Sequence, residues 1–287
     1  MDVELRHLRA FAAVAKDRSF TAASKRLLIT QPALSRTVQQ LEASLGVRLL
    51  ERTSRTVTLT AAGQEFLTRV AAILRDVDLA IAEARGEREL CIGFSWVLPD
   101  PWAADTIAAF EAETGATAHL VRRDDLADAL ARGEVDVALV RHALADAEVV
   151  VLTLFEEPRY AAVSSRSPLA ALGEIDWRDL GEHPVVINTA SGNTRPELWP
   201  ADQRPERVIE CGNYDEWIAL IAADRGVGAT PRSATRTYAH AGVVFLPAPG
   251  APPVPLSLAW LPRRATPLLR RFAEVALAHS GPASPPA

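Results

Sequence analysis

The sequence predicts an α/β protein in three parts: a small, mainly α head that ends in two short strands, one long linker helix, and a larger α/β body. Three observations carry this. Leu34, Val38, Leu41 and Leu45 recur at steps of four, three and four, the period of a helix with one buried stripe. Phe66, Val70, Ile73, Val77, Ala80 and Ala84 continue the same rhythm along a longer segment. After Gly86 short apolar runs such as ELCIGF alternate with helix-length stretches, which argues for a mostly parallel sheet covered on both faces.

In the head, an amphipathic helix over residues 4–16 supplies Leu5, Leu8, Phe11, Ala12 and Ala15 to a three-helix core that includes Phe20. A second helix runs over about 21–28, with Ser19 or Thr21 able to accept from the free N–H groups at its start. The third opens at Gln31-Pro32, since proline loses nothing in a first turn, and Thr30 or Gln31 caps it. Its face opposite the leucines carries Gln31, Ser35, Arg36, Gln39 and Gln40. An Arg fork matches the acceptors of guanine and a Gln amide matches adenine, so this face suits the reading of base edges. Gly46 ends the helix, and alternation over 47–60 predicts two short strands. The unit is a winged helix-turn-helix. Charge agrees: residues 1–60 carry ten Lys/Arg against five Asp/Glu, net +5, whereas the remainder is net −10. A basic head on an acidic body suits approach to phosphates.

At this point the chain resembles the LysR-type transcriptional regulators. The likeness rests on Leu8-Arg9-Ala10-Phe11, Ser19-Phe20-Thr21-Ala22-Ala23, Gln31-Pro32-Ala33-Leu34-Ser35-Arg36, Leu41-Glu42, the run from Leu45 to Arg52, and Leu59-Thr60-Ala61-Ala62-Gly63. It implies that Gln31, Pro32, Ser35 and Arg36 lie in the major groove of promoter DNA, that Thr21 and Ser19 touch phosphate, and that Arg52 or Arg55 of the wing reaches the backbone or minor groove. RNA polymerase is a further partner such a regulator could meet.

The linker, residues 61–87, has a heptad seam of Phe66, Val70, Ile73, Val77, Ala80 and Ala84, with Leu67, Leu74 and Ile81 flanking. Such a seam needs a partner helix, and its place after a single head favours dimerisation on a site with inverted symmetry. The resemblance implies a homodimer or homotetramer.

In the body, residues 88–287, strands are expected at Glu89–Phe94, 117–121, 135–140, 185–187, 207–210, 226–231 and 256–261, with helices at 101–114, 124–132, 214–223 and 267–278. The run from Asn188 to Arg195, hydroxyls and amides at a strand end, looks like a cradle for a small polar or anionic group or a polar surface loop, and leads into a helix with Leu198 and Trp199. This part resembles the effector-binding region of the same family through Cys91-Ile92-Gly93, the run from Gly133 to Val140, and the run from Gly226 to Pro231. The resemblance implies a fold like periplasmic solute-binding proteins: lobe I at about 88–161 and 254–280, lobe II at about 162–253, with crossings near 161–164 and 247–253. It lines the cleft with Ser95, Trp96, Arg123, Arg141, His142, Asn188, Thr189, Ser191 and Thr230. Trp96 departs from the small residues usual there, and Arg141 has a competing surface partner in Asp146. Arg123, Arg141 and Arg195 lean towards a carboxylate-bearing effector.

Enzyme readings find little support, because no Gly-x-Ser-x-Gly elbow, His-Glu-x-x-His, phosphate loop or glycine-rich dinucleotide turn occurs. No catalytic residue, metal set or cofactor is expected. Cys91 and Cys211 make neither a disulfide framework nor a metal cluster, although a redox-sensing pair is the alternative. No run of 18 apolar residues and no cleavage signal occur, so no membrane contact and a cytoplasmic location are expected. The rivals to a regulator are an enzyme with an appended DNA head and a solute-binding protein without gene control.

Overall fold

The computed structural model describes residues 3–52, 57–86, 88–142, 144, 148–237 and 239–280, and at 52, 79, 82 and 83 the backbone alone. Contacts divide the chain into two compact units, Met1–Arg88 with Asp128–Glu134, and Glu89–Ala127 with Val135–Ala287. No helix among the described residues is long and apolar enough to cross a membrane.

The first unit opens with α1 (Leu5–Asp17), α2 (Phe20–Arg26) and α3 (Gln31–Leu45), then strands β1 (Leu50–Arg52) and β2 (Val57–Leu59), then α4 (Ala61–Ala84). Local chemistry sets the boundaries. Ser19 Oγ accepts the Ala22 N–H at the start of α2, and Thr30 Oγ1 accepts that of Ala33 at the start of α3. α2 stops at Arg26, two residues before the expected end, because Leu28 turns left-handed at φ 55°. Gly46 closes α3 at φ 71°. Glu42 on α3 then accepts the N–H groups of Leu49 and Leu50, at 2.9 and 3.1 Å, and so fixes where the wing departs. β1 and β2 pair antiparallel. At the start of α4, Gly63 lies so close to Leu49 that a Cβ there would meet its carbonyl oxygen at 2.0 Å. The core holds Leu8, Phe11, Ala15, Phe20, Leu34, Val38 and Leu41 as expected, but Leu5, in the first turn of α1, is 41% exposed and Ala12 only half-buried, while Val14 and Ala23 are sealed in.

In the second unit the chain forms β3 (Glu89–Phe94), α5 (Trp102–Thr114), β4 (Thr117–Arg122), α6 (Leu126–Arg132, shared with the first unit), β5 (Val137–Val140) and β6 (Val150–Glu157). It continues through β7 (Arg159–Ser164), α7 (Trp177–Gly181), β8 (Val185–Asn188), β9 (Val208–Cys211), α8 (Tyr214–Ala222), β10 (Gly228–Pro231), α9 (Arg232–Thr237), β11 (Val243–Pro247), β12 (Val254–Trp260) and α10 (Pro267–Ala278). Lobe I holds the five-stranded sheet β4-β3-β5-β12-β6, parallel from β4 through β5 and antiparallel at β12. Phe110 of α5 and Phe272 of α10 meet edge to face over one side of it, 5.3 Å apart.

Lobe II holds β7 between β10 and β11, with the parallel pair β8-β9 joined on through a bridge from Val185 to Val227. The first crossing between lobes is therefore at Pro158, not near 161–164, because the backbone of Arg159–Ser164 is already paired with β10 and β11. The second lies between β11 and β12, as expected from its prolines. The helix expected around Leu198 shrinks to the 3-10 turn Pro196–Leu198, since Trp199 breaks off to stack on Trp177 at 3.8 Å.

Candidate functional site

On α3 the leucine stripe and the polar face separate cleanly. Leu34, Val38 and Leu41 are 0% exposed, while Gln31, Pro32, Arg36, Gln39 and Gln40 are exposed and Ser35 is half-buried. Thr21 is exposed beside the start of α2, but the Ser19 hydroxyl is occupied in capping that helix. Arg52 lies in β1 with only its backbone described, and Arg55 lies outside the described residues.

The linker seam divides. Val70 is fully buried and Phe66 half-buried in the head's own core, with the Phe66 ring 5.5 Å from that of Phe11. Of the rest, Ile73, Ala80 and Ala84 are exposed and Val77 is half-buried; flanking Ile81 is exposed too. The first two seam positions are thus spent inside the chain.

Between the lobes lies a cavity of about 20 Å³, lined by Trp96 from lobe I and by Asn188, Ser191, Asn193, Thr194, Tyr214, Trp217, Ala229 and Thr230 from lobe II. That volume holds roughly one water. Trp96 stacks on Tyr214 and belongs to the apolar cluster of lobe II. Asn188 Oδ1 accepts the N–H groups of Ala190 and Ser191, and Ser191 Oγ donates to the Asn188 carbonyl, so the expected cradle is a self-bonded turn. Gly192 sits there at φ 61°, where a Cβ would strike the ring of His142 at 2.8 Å; His142 therefore closes on the loop from lobe I. Thr189 Oγ1 donates to the Cys211 carbonyl, and neither Thr189, Ser95 nor Arg123 lines the cavity.

Arg141 requires a correction. It is 6% exposed and pairs with Glu157 at 2.5 Å, while its second nitrogen donates to Ser233 Oγ. Its expected surface rival Asp146 lies outside the described residues. Burial pushes the guanidinium below its ordinary pKa while Glu157 draws it back up. The ligand role fails because its charge is already matched. Arg123 has its N–H on the Phe94 carbonyl, 2.8 Å away.

Two residues not singled out in the sequence matter more. Asn193 is 6% exposed, and neither atom of its amide has a hydrogen-bond partner among the described residues; the Thr230 hydroxyl, on a residue 1% exposed, has none either. Behind them Arg159, 4% exposed, donates from Nε to the Pro252 carbonyl and from Nη1 to Thr194 Oγ1. Burial, with Arg195 adding repulsion, pushes its pKa down to about 10. Cys91 and Cys211 are buried and form no disulfide, and burial followed by the Glu216 charge pushes the Cys211 pKa upward, away from the thiolate that redox sensing needs.

Comparison with known proteins agrees over both parts of the chain. Residues 5–64 match the model of the bacterial regulatory helix-turn-helix protein, lysR family, and residues 83–281 match the LysR substrate binding domain. The Hca operon transcriptional activator HcaR of Escherichia coli (strain K12) is 34% identical over 94% of this chain and 96% of its own. The HTH-type transcriptional regulator YnfL of the same strain is 38% identical over 82% of this chain and 84% of its own. Among solved structures, CbnR, a LysR family transcriptional regulator, superposes with a TM-score of 0.76 at 26% identity, covering 98% of this chain and 100% of that one. Full-length CbnR complexed with its target DNA gives 0.73 at 27% identity, over 96% and 100%. The chain belongs to the LysR family of transcriptional regulators, with a helix-turn-helix DNA-binding domain followed by an effector-binding domain.

Proposed function

We propose that this regulator reads an interrupted palindrome in promoter DNA as a homodimer or homotetramer, with Gln31, Pro32, Ser35, Arg36 and Gln39 of α3 in the major groove. One observation carries the reading: the polar side of α3 stands open while the leucine side is sealed into the head. Thr21 and the start of α2 would meet phosphate, and the wing the flanking backbone. That CbnR was solved with its target DNA supports the same use of this head.

The effector enters the cleft between the lobes and binds one lobe arrangement better than the other, which is what coupling to DNA requires. Trp96, Asn188, Ser191, Asn193 and Thr230 form its walls. The protein acts by binding rather than catalysis, in keeping with relatives named as regulators, and works in the cytoplasm where its promoter lies. The test is a gel shift of the purified chain on its own upstream region and on a shuffled sequence across a salt series. Selective retention of the natural sequence as salt rises is expected; equal affinity for both at every salt would overturn the reading.

A further inference from the structure

The cavity wall is unfinished in a way that specifies a ligand. Asn193 and Thr230 are both more than nine-tenths buried, line the cavity, and hold donor groups with no acceptor among the described residues. Buried polar groups are nearly always satisfied, so an orphan pair at one cavity points to a missing partner. Asn193 Nδ2 and the Thr230 hydroxyl call for lone pairs, and the equally unpaired Asn193 Oδ1 is left for a donor such as water.

Arg159 supplies the sign of the charge. Its guanidinium is buried, yet its bonds go to neutral oxygens of Pro252 and Thr194, its flat face lies 5.7 Å from the Trp177 ring, and among the described residues no carboxylate pairs with it. These contacts hold the group in place without neutralising it. An uncompensated buried cation is costly, and the nearby Arg195 adds to the positive potential. Thr194 Oγ1 accepts from Arg159 and donates to the Ala229 carbonyl, and Thr194, Ala229 and Thr230 all line the cavity. The unmatched charge therefore sits one hydrogen bond behind the wall that the orphan donors face.

We infer that the cleft takes a small planar carboxylate, with Asn193 Nδ2 and the Thr230 hydroxyl donating to the carboxylate oxygens and the buried guanidinium of Arg159 supplying the countercharge. The inference rests on the cleft being the effector site. The expected charged residues Arg123 and Arg141 are not needed: the first does not line the cavity and the second is matched by Glu157. Planarity follows from the remaining wall of Trp96, Tyr214 and Trp217. The cavity of about 20 Å³ admits only a water-sized guest, so the carboxylate enters as Trp96 moves away from Tyr214.

The test titrates the full-length protein with benzoate and with benzamide, its neutral near-isostere, by calorimetry. The unsubstituted chain is compared with Thr230→Val, Arg159→Met and Arg159→Lys. Benzoate is expected to bind the unsubstituted chain at least about tenfold tighter than benzamide, to weaken by about ten- to hundredfold in Thr230→Val and Arg159→Met, and to recover in part in Arg159→Lys. Should Arg159→Met fail to fold by circular dichroism, Thr230→Val and the benzamide comparison still decide. Equal binding of both probes, lost together in Thr230→Val, would keep the cleft as the site and overturn the carboxylate. Benzoate binding unchanged in every variant would place the ligand elsewhere and overturn the cleft reading itself. Failure of the unsubstituted chain to bind benzoate overturns the planar carboxylate.

Discussion

The indole of Trp96, just beyond the end of β3 in lobe I, stacks on the phenol of Tyr214 at the start of α8 in lobe II, with centroids 5.6 Å apart and planes 16° from parallel. Two lobes that exchange the chain at Pro158 and between β11 and β12 are thus also joined by an aromatic pair in the cavity wall. Aromatic pairs contribute about 0.5–1.5 kcal/mol beyond their buried area, small enough for a ligand to displace.

Replacing Trp96 by Ala should enlarge the cavity and lower the stability of the body by about 3–5 kcal/mol, the usual cost of a buried Trp-to-Ala truncation. Trp96→Phe should recover most of the loss by keeping a ring against Tyr214. Urea unfolding of the three proteins, followed by circular dichroism, measures this. An Ala variant as stable as the parent would mean that the stack contributes nothing to closure.

Arg36→Ala should weaken binding to the cognate operator by about 1–3 kcal/mol and relax base preference at one position per half-site, with no change in melting temperature, because Arg36 is exposed. Leu34→Ala, on the sealed side of the same helix, should instead destabilise the head by about 2–5 kcal/mol. Fluorescence anisotropy on matched and single-mismatch duplexes, beside thermal melts, separates the two effects. Unaltered selectivity in Arg36→Ala would remove that residue from the reading face.

The head was legible because its signals are local. A 3.6-residue stripe, a proline in a first turn and a glycine at a helix end each act within a few residues, and α3 begins at Gln31 and ends at Gly46 as they require. For the same reason α10 starts at Pro267 under a Thr266 cap. The lobe crossing, taken from the family resemblance, was misplaced because no strand was read over 150–164, and only sheet pairing tells that Val150–Glu157 joins lobe I and Arg159–Ser164 lobe II. At the cleft, Trp96, Asn188, Ser191 and Thr230 could be found as polar or unusual residues at strand ends. Arg141 could not be excluded, since its neutralising Glu157 lies 16 residues away. Asn193 fell inside the Asn188–Arg195 run without being marked as a lining residue, and Arg159 was invisible, because an unpaired amide and an unmatched charge are properties of the folded neighbourhood.

Glu157 holds Arg141 with one oxygen and the Ser233 N–H with the other, so it ties the end of β6 to α9 of the opposite lobe. Glu157→Gln leaves the buried Arg141 cation without a counterion and should cost about 3–5 kcal/mol. Adding Arg141→Met should restore part of that, because the unmatched charge is then gone. A double-mutant cycle by urea unfolding gives the coupling. Additive losses would show that the two side chains do not depend on one another.

The linker makes a divided prediction. Val70 is enclosed by the head, so Val70→Ala should cost about 2 kcal/mol of head stability without altering the oligomer. Ile73 and Ile81 stand 44% and 41% exposed on the later turns, where an isolated chain gains nothing from them. In the proposed dimer a partner helix covers these open apolar side chains. Ile73→Glu with Ile81→Glu should therefore shift the protein towards monomer in sedimentation velocity at micromolar concentration while leaving its circular dichroism spectrum that of the parent. Loss of the paired state should also weaken operator binding far more than binding to a single half-site, since two heads no longer act together. An unchanged sedimentation coefficient would move the dimer contact off α4 altogether.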